Sequence, residues 1–241
     1  MVTGETAKAH VAGFVLAGGG STRFGRDKAL VQIGGQSLMA RLCSVLLGVT
    51  PRVKIIGARE KYGSFGVECI ADRWPGEGPL GGIVTALSAT DQGGGSEKPA
   101  RIPFGAQGQP ALPSEPDERE ASPCEWNLII GCDMPFLTRE WLAYLIEKAL
   151  ASEGEVVAPK SAHGLEPLCA CWRASSSGKL KHVFEDGVRR VTEGMRHLSM
   201  EVLDETHWKR FDSADRLFWN MNTPADYDEA KRILESEPER A

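Results

Sequence analysis

Residues 10–30 read HVAGFVLAGGGSTRFGRDKAL: an apolar run, three consecutive glycines at 18–20, then Arg23 and Lys28. A short apolar run ending in glycine suits a buried strand, and glycines directly after a strand leave backbone N–H groups free to face a phosphate. The residues that follow, QSLMARLCSVLLGV, place Leu38, Leu42, Val45, Leu46 and Val49 at helical spacing. The chain therefore opens with a strand, a glycine loop and an amphipathic helix. Two common phosphate devices do not match the loop. A dinucleotide fingerprint needs a third glycine where Arg23 stands after Gly18 and Gly20, since close helix packing there leaves no room for a side chain. A P-loop is satisfied at Gly20 and Gly25 but not at Arg26 and Asp27, which replace its lysine and hydroxyl. What remains is either a structural loop or a phosphate cradle charged by Arg23 and Lys28.

The rhythm continues outward from this unit. RVKIIGA and VECIA read as short buried strands, GPLGGIVTALSA as a helix, WNLIIGCD as a strand and TREWLAYLIEKALAS as a helix capped by Thr138. Such alternation predicts an α/β fold with a mostly parallel, Rossmann-like sheet and helices on both faces. From residue 155 the segments shorten. EVVAP, LEPLCACW and MEVLD read as strands, DGVRRVTEGMRHL as a helix, and LFWNMNTPADYDEAKRIL as a strand, a turn and a helix begun at Thr223 and Pro224. This half reads as an appendage to the sheet within a single domain spanning 1–241. Two stretches fall outside the pattern. Residues 1–9 read as a flexible lead-in, and residues 91–123, dense in Gly, Pro, Ser and charge, as a disordered insertion.

Composition narrows the function. With 41% apolar and 25% charged residues and a net charge of -5, a general nucleic-acid or anionic-membrane surface is not expected. No apolar run approaches the ~20 residues of a membrane helix, so a soluble, cytoplasmic protein is expected. The six cysteines form no C-x-x-C pair and read as reduced thiols rather than metal ligands. Two aspartates end predicted strands, Asp72 after VECIA and Asp133 after LIIGC. Ligands bind at that end of open parallel sheets. Each also suits a cap or a turn, but together with the glycine loop they suit a cleft for a nucleotide triphosphate and Mg²⁺.

The ordered set L-A-G-G-x-S-x-R-x-G-x-D-K-A-L, D with G-P-L-G-G, C-D-M-P-F and N-x-N-T-P resembles the molybdenum cofactor guanylyltransferase family, from about Val11 to Ile233. The resemblance implies the fold of the nucleotide-diphospho-sugar transferases and transfer of GMP from GTP to the terminal phosphate of molybdenum-molybdopterin. It implies that Leu16, Ala17, Gly18 and Gly19 hold guanine and phosphate, that Lys28 and Arg23 contact phosphates, that Asp72 contacts the nucleotide and that Asp133 binds Mg²⁺. On the pterin side it implies Asn220, Asn222 and Arg190; Arg190 equally suits a surface ion pair, and Asn222 a cap before Thr223 and Pro224. Partners implied are GTP, molybdenum-molybdopterin, molybdopterin-synthesis enzymes and acceptor apoenzymes. The glycine loop does not separate this activity from a molybdopterin cytidylyltransferase, another small-molecule nucleotidyltransferase or a non-catalytic nucleotide-binding or cofactor-delivery protein. One departure stands out: Gly57 occupies the end of the second strand, where the family often has asparagine.

Overall fold

The computed structural model describes residues 10–18, 27–91, 124–212 and 214–236, and the structural statements that follow concern these. Gly19, Arg23, the lead-in 1–9 and the stretch 92–123 lie outside them.

The described residues form one eight-stranded sheet and a two-stranded ribbon of β2 (Gln32–Ile33) and β3 (Gln36–Ser37). The centre of the large sheet is β1 (Val11–Leu16), paired in parallel with β4 (Arg52–Ile56) on one side and β6 (Trp126–Gly131) on the other. All six residues of β1 and all six of β6 are buried, which is why both read as continuous apolar runs rather than alternating ones. The alternation appears in where the side chains go. Val11 and Val15 enter one core with Trp126, Leu128 and Ile130, whereas Ala12, Phe14 and Leu16 enter the other with Ile129. Each face is covered by helices. The first is packed by α1 (Leu38–Leu47) and the helix Arg139–Ala151; the second by Pro79–Asp91 and Ser177–Glu185. A mostly parallel sheet with helices on both faces is therefore what the sequence folds into.

Local signals set the helix starts. The Ser37 hydroxyl accepts the Ala40 N–H at 3.2 Å, and the Thr138 hydroxyl accepts that of Trp141 at 3.3 Å. At the last helix, Pro224–Ser236, Thr223 and Asp226 cap reciprocally: the Asp226 N–H reaches the Thr223 hydroxyl at 3.2 Å, and the Thr223 N–H reaches the Asp226 carboxylate at 2.7 Å. No helix among the described residues is long and apolar enough to cross a membrane.

Three expectations need correction. The C-terminal half is no appendage: β7 (Val156–Ser161), β9 (Cys169–Arg173) and β10 (Met200–Leu203) extend the same sheet in the order β10-β7-β9-β6-β1-β4-β5, where β5 is Glu68–Ile70, and the eighth strand, β8 (Gly164–Leu165), pairs with β7 off that path. Within it β9 runs antiparallel to both β6 and β7. LFWNMN is not a strand: Leu217 and Phe218 form a turn and the four residues after them are irregular. Its apolar residues pack without a ladder, Phe218 edge-on to Trp141 and Trp208, and Trp219 stacked on Phe136 at 5.4 Å. Of DGVRRVTEGMRHL only Val191–Met195 is α-helical, because Gly187 at φ +98° ends the preceding helix and Arg190 is extended. All six cysteines are free thiols, as expected.

Candidate active site

A cleft of about 550 Å³ opens beyond the carboxyl ends of β1, β4 and β6. Its floor is Leu16, Ala17 and Gly18, with Gly131, Cys132 and Asp133 beside them. The Ala17 N–H continues the ladder to Ile56 at 2.8 Å, and Gly18 then leaves the sheet at φ +142°, a conformation that favours glycine.

Lys28 stands on a single 3-10 turn, Lys28–Leu30, whose cap is Asp27: the carboxylate accepts the Ala29 N–H at 3.2 Å. From there the Lys28 ammonium donates to Asn222 Oδ1 at 2.7 Å. These residues are 194 positions apart in the chain. A second tie joins the same segments, since the Met221 N–H bonds the Asp133 carbonyl at 2.8 Å. The lysine after the glycine loop, the aspartate after β6 and the N-x-N-T-P turn thus meet at one place.

Asp133 sits two residues beyond β6, and a Cβ at Gly131 would stand 2.8 Å from its Oδ1. Glycine at 131 leaves the carboxylate the space it occupies. Burial pushes the Asp133 carboxyl above the ordinary carboxylate range, opposed by the positive charge of Lys28 and by its own backbone N–H. A desolvated carboxylate facing a cation across a cleft is poised for a further positive partner. The neighbouring Cys132 thiol is raised to about 12, chiefly by burial and then by Asp133. It stays protonated and is no nucleophile.

Asp72 lines the cleft too, and it serves a second purpose. Its Oδ1 accepts the Trp74 N–H at 3.0 Å and lies 3.1 Å from the Thr85 hydroxyl, closing the turn before the helix Pro79–Asp91. The turn-forming role is thus observed, on a side chain that also borders the cleft. The pterin-side candidates divide. Asn222 reaches the cleft through Lys28, whereas Asn220 is turned to its own segment, donating to the Phe218 carbonyl at 3.3 Å. Arg190 is exposed and does not line the cleft. Its neighbour Arg189 bonds Glu77 at 2.6 Å and covers the Phe184 ring, which sets the pair at the rim beside the loop Gly76–Gly78.

Lining residues that sequence reading did not single out are Asp27, Lys61, Tyr62 and Leu168. Asp27 had a signal, its place beside Lys28. Lys61 and Tyr62 had none, because only the path of the chain after β4 brings them here. Gly57 turns out to be required as glycine: a Cβ there would lie 2.5 Å from the Ala17 carbonyl oxygen and 2.9 Å from the Tyr62 ring.

No group of three or more His, Cys, Asp or Glu that could cage a metal exists among the described residues. The carboxylates on the described lining are those of Asp27, Asp72 and Asp133; Mg²⁺ commonly uses one or two carboxylates and keeps waters and substrate phosphates for the rest. The described lining carries three aspartates and two lysines, so a bound triphosphate needs added positive charge.

A family model described as MobA-like NTP transferase domain matches residues 13–201. A probable molybdenum cofactor guanylyltransferase of Pelotomaculum thermopropionicum is 29% identical over 230 residues, covering 93% of each chain. Among solved structures, molybdopterin-guanine dinucleotide biosynthesis protein A from Archaeoglobus fulgidus superposes with a TM-score of 0.68 at 22% identity, over 93% of this chain and 99% of that one. The 2-C-methyl-D-erythritol 4-phosphate cytidylyltransferase of Thermus thermophilus shares the fold at a TM-score of 0.57 and 11% identity, over 92% and 97%.

Proposed function

The chain belongs to the family of MobA-like NTP transferase domains, and on that premise we propose that it transfers GMP from GTP to the terminal phosphate of molybdenum-molybdopterin. The observation that carries this reading is the junction of Lys28, Asn222 and the Asp133 carbonyl. It joins the side of the cleft read as nucleotide site to the side read as pterin site. The names of its relatives support the choice of guanine and of this acceptor.

In the reaction an oxygen of the acceptor phosphate forms a bond to the α-phosphorus of GTP, and the bond from that phosphorus to the bridging oxygen breaks. Pyrophosphate leaves with the electron pair. The nucleophile is already anionic, so no general base is assigned. What this chain's residues do is hold and neutralise. Lys28 places an ammonium against the phosphates, with Arg23 from the glycine loop as its companion. The backbone at Leu16, Ala17 and Gly18 lines the cleft on the nucleotide side. Asp133 would hold Mg²⁺, whose charge stabilises the phosphate oxygens as they gain negative charge. Asp72 borders the nucleotide, and Asn222 faces the acceptor. With Arg190 exposed at the rim, any contact of its guanidinium with a pterin phosphate would be made from the mouth of the cleft.

Melting curves with each nucleotide test the reading. A ligand that binds only the folded state at 100 times its Kd adds about 2.7 kcal/mol of stability. With Mg²⁺ present, GTP is expected to raise the melting temperature more than equal concentrations of CTP, ATP or UTP. A larger shift with CTP would favour the cytidylyl activity instead.

A further inference from the structure

We infer that Tyr62 is a positioning residue for Lys28, anchoring to the sheet the turn that presents the lysine to the cleft. The inference rests on the reading of Lys28 as the phosphate lysine.

The geometry forms an unbroken chain of contacts. After β4 the backbone passes through Gly57 and Ala58 into the short helix Arg59–Tyr62. Two ring carbons of Tyr62 lie 2.9 Å from where a Cβ of Gly57 would be, so the ring rests against bare backbone at the strand end. The side chain is 3% exposed. From this fixed base the Tyr62 hydroxyl donates to Asp27 Oδ2 at 2.8 Å, and Lys61 Nζ approaches the same oxygen at 3.5 Å. The other Asp27 oxygen takes the Ala29 N–H. Asp27 is thereby tied to the helix after β4 on one side and to its own turn on the other, and Lys28 is the next residue.

A lysine side chain is a flexible four-carbon stem with a point charge at its end. Where its ammonium can go depends on how firmly its backbone is held. Tyr62 supplies a hydrogen bond that holds this turn from another element, at Asp27, the residue before the lysine. Burial, and then the bond to Asp27, hold the phenol far above its ordinary range, so the hydroxyl remains a donor throughout the neutral region.

Tyr62→Phe removes the hydroxyl and keeps the ring against Gly57, so the fold should survive, which a melting curve checks. In the nucleotide-free protein, amide hydrogen exchange of Ala29, Leu30 and Val31 should accelerate in the variant. Unchanged exchange there would overturn the inference. GTP affinity should fall roughly 3- to 10-fold, less than the loss of a direct hydrogen bond to a charged group would cause, because Tyr62 acts only through the turn, and the fall should vanish when Tyr62→Phe is made in a Lys28→Ala background. An equal loss in both backgrounds would show that Tyr62 does not act through Lys28. Failure of the unmodified protein to bind GTP would instead count against the guanylyl reading, and the exchange measurement would still decide whether Tyr62 holds the turn.

Discussion

Asp133→Asn is expected to lower guanylyl transfer by about 10²-fold or more while raising the melting temperature. The first half follows from charge. An amide keeps the shape of the carboxylate but not the negative charge that a phosphate-bound Mg²⁺ requires, and a loss of that size corresponds to about 2.7 kcal/mol in the barrier. The second half follows from desolvation. The Asp133 carboxyl is raised in the folded protein, first by burial, with Lys28 only partly offsetting it. A carboxyl with a raised folded value contributes stability below its unfolded value and loses it as pH rises through the folded value. At neutral pH the ionised group is therefore a cost, and asparagine removes it. The stabilisation should be present near pH 7 and shrink as pH falls toward the ordinary carboxylate range. Turnover near that of the unmodified enzyme, or a lower melting temperature in the variant at pH 7, would contradict this account.

Lys28→Ala is expected to weaken GTP binding or turnover about 10- to 100-fold, since a hydrogen bond to a charged group contributes about 1.5 to 3 kcal/mol. Three consequences follow from one atom. The phosphates lose a cation, Asn222 loses the donor at 2.7 Å, and Asp133 loses the charge that holds its carboxyl down. Lys28→Arg should recover only part of the loss, because the wider guanidinium does not reproduce the single contact with Asn222. Steady-state kinetics with GTP varied separate binding from turnover. Unchanged parameters in Lys28→Ala would mean that the turn after the glycine loop is only structural.

Those two residues show what the sequence made legible. Asp133 follows a strand buried on both faces, so the apolar run LIIGC by itself marks it as a strand-end residue. Lys28 follows a glycine loop that no other phosphate pattern claimed. Helix starts at Thr138 and Thr223 were legible because their hydroxyls do their work locally, whereas the Ser37 cap went unread. What was not legible depends on distant contacts. LFWNMN carries the residue types of a strand, but its aromatic side chains are satisfied by Trp141, Trp208 and Phe136, and the backbone is left to one turn and irregular chain. The antiparallel insertion of β9 leaves no mark either, because its residues Cys169–Trp172 are buried on both faces just as the parallel strands β1 and β6 are. Lys61 and Tyr62 stand 33 and 34 positions after Lys28 in the chain and join the cleft only through the close approach at Gly57.

The most direct test of the account is pyrophosphate release with GTP or CTP, each measured with and without isolated molybdenum-molybdopterin in the presence of Mg²⁺. The account predicts release that requires the pterin and is faster with GTP at equal concentration. Release that prefers CTP, or that proceeds equally without the pterin, would contradict it.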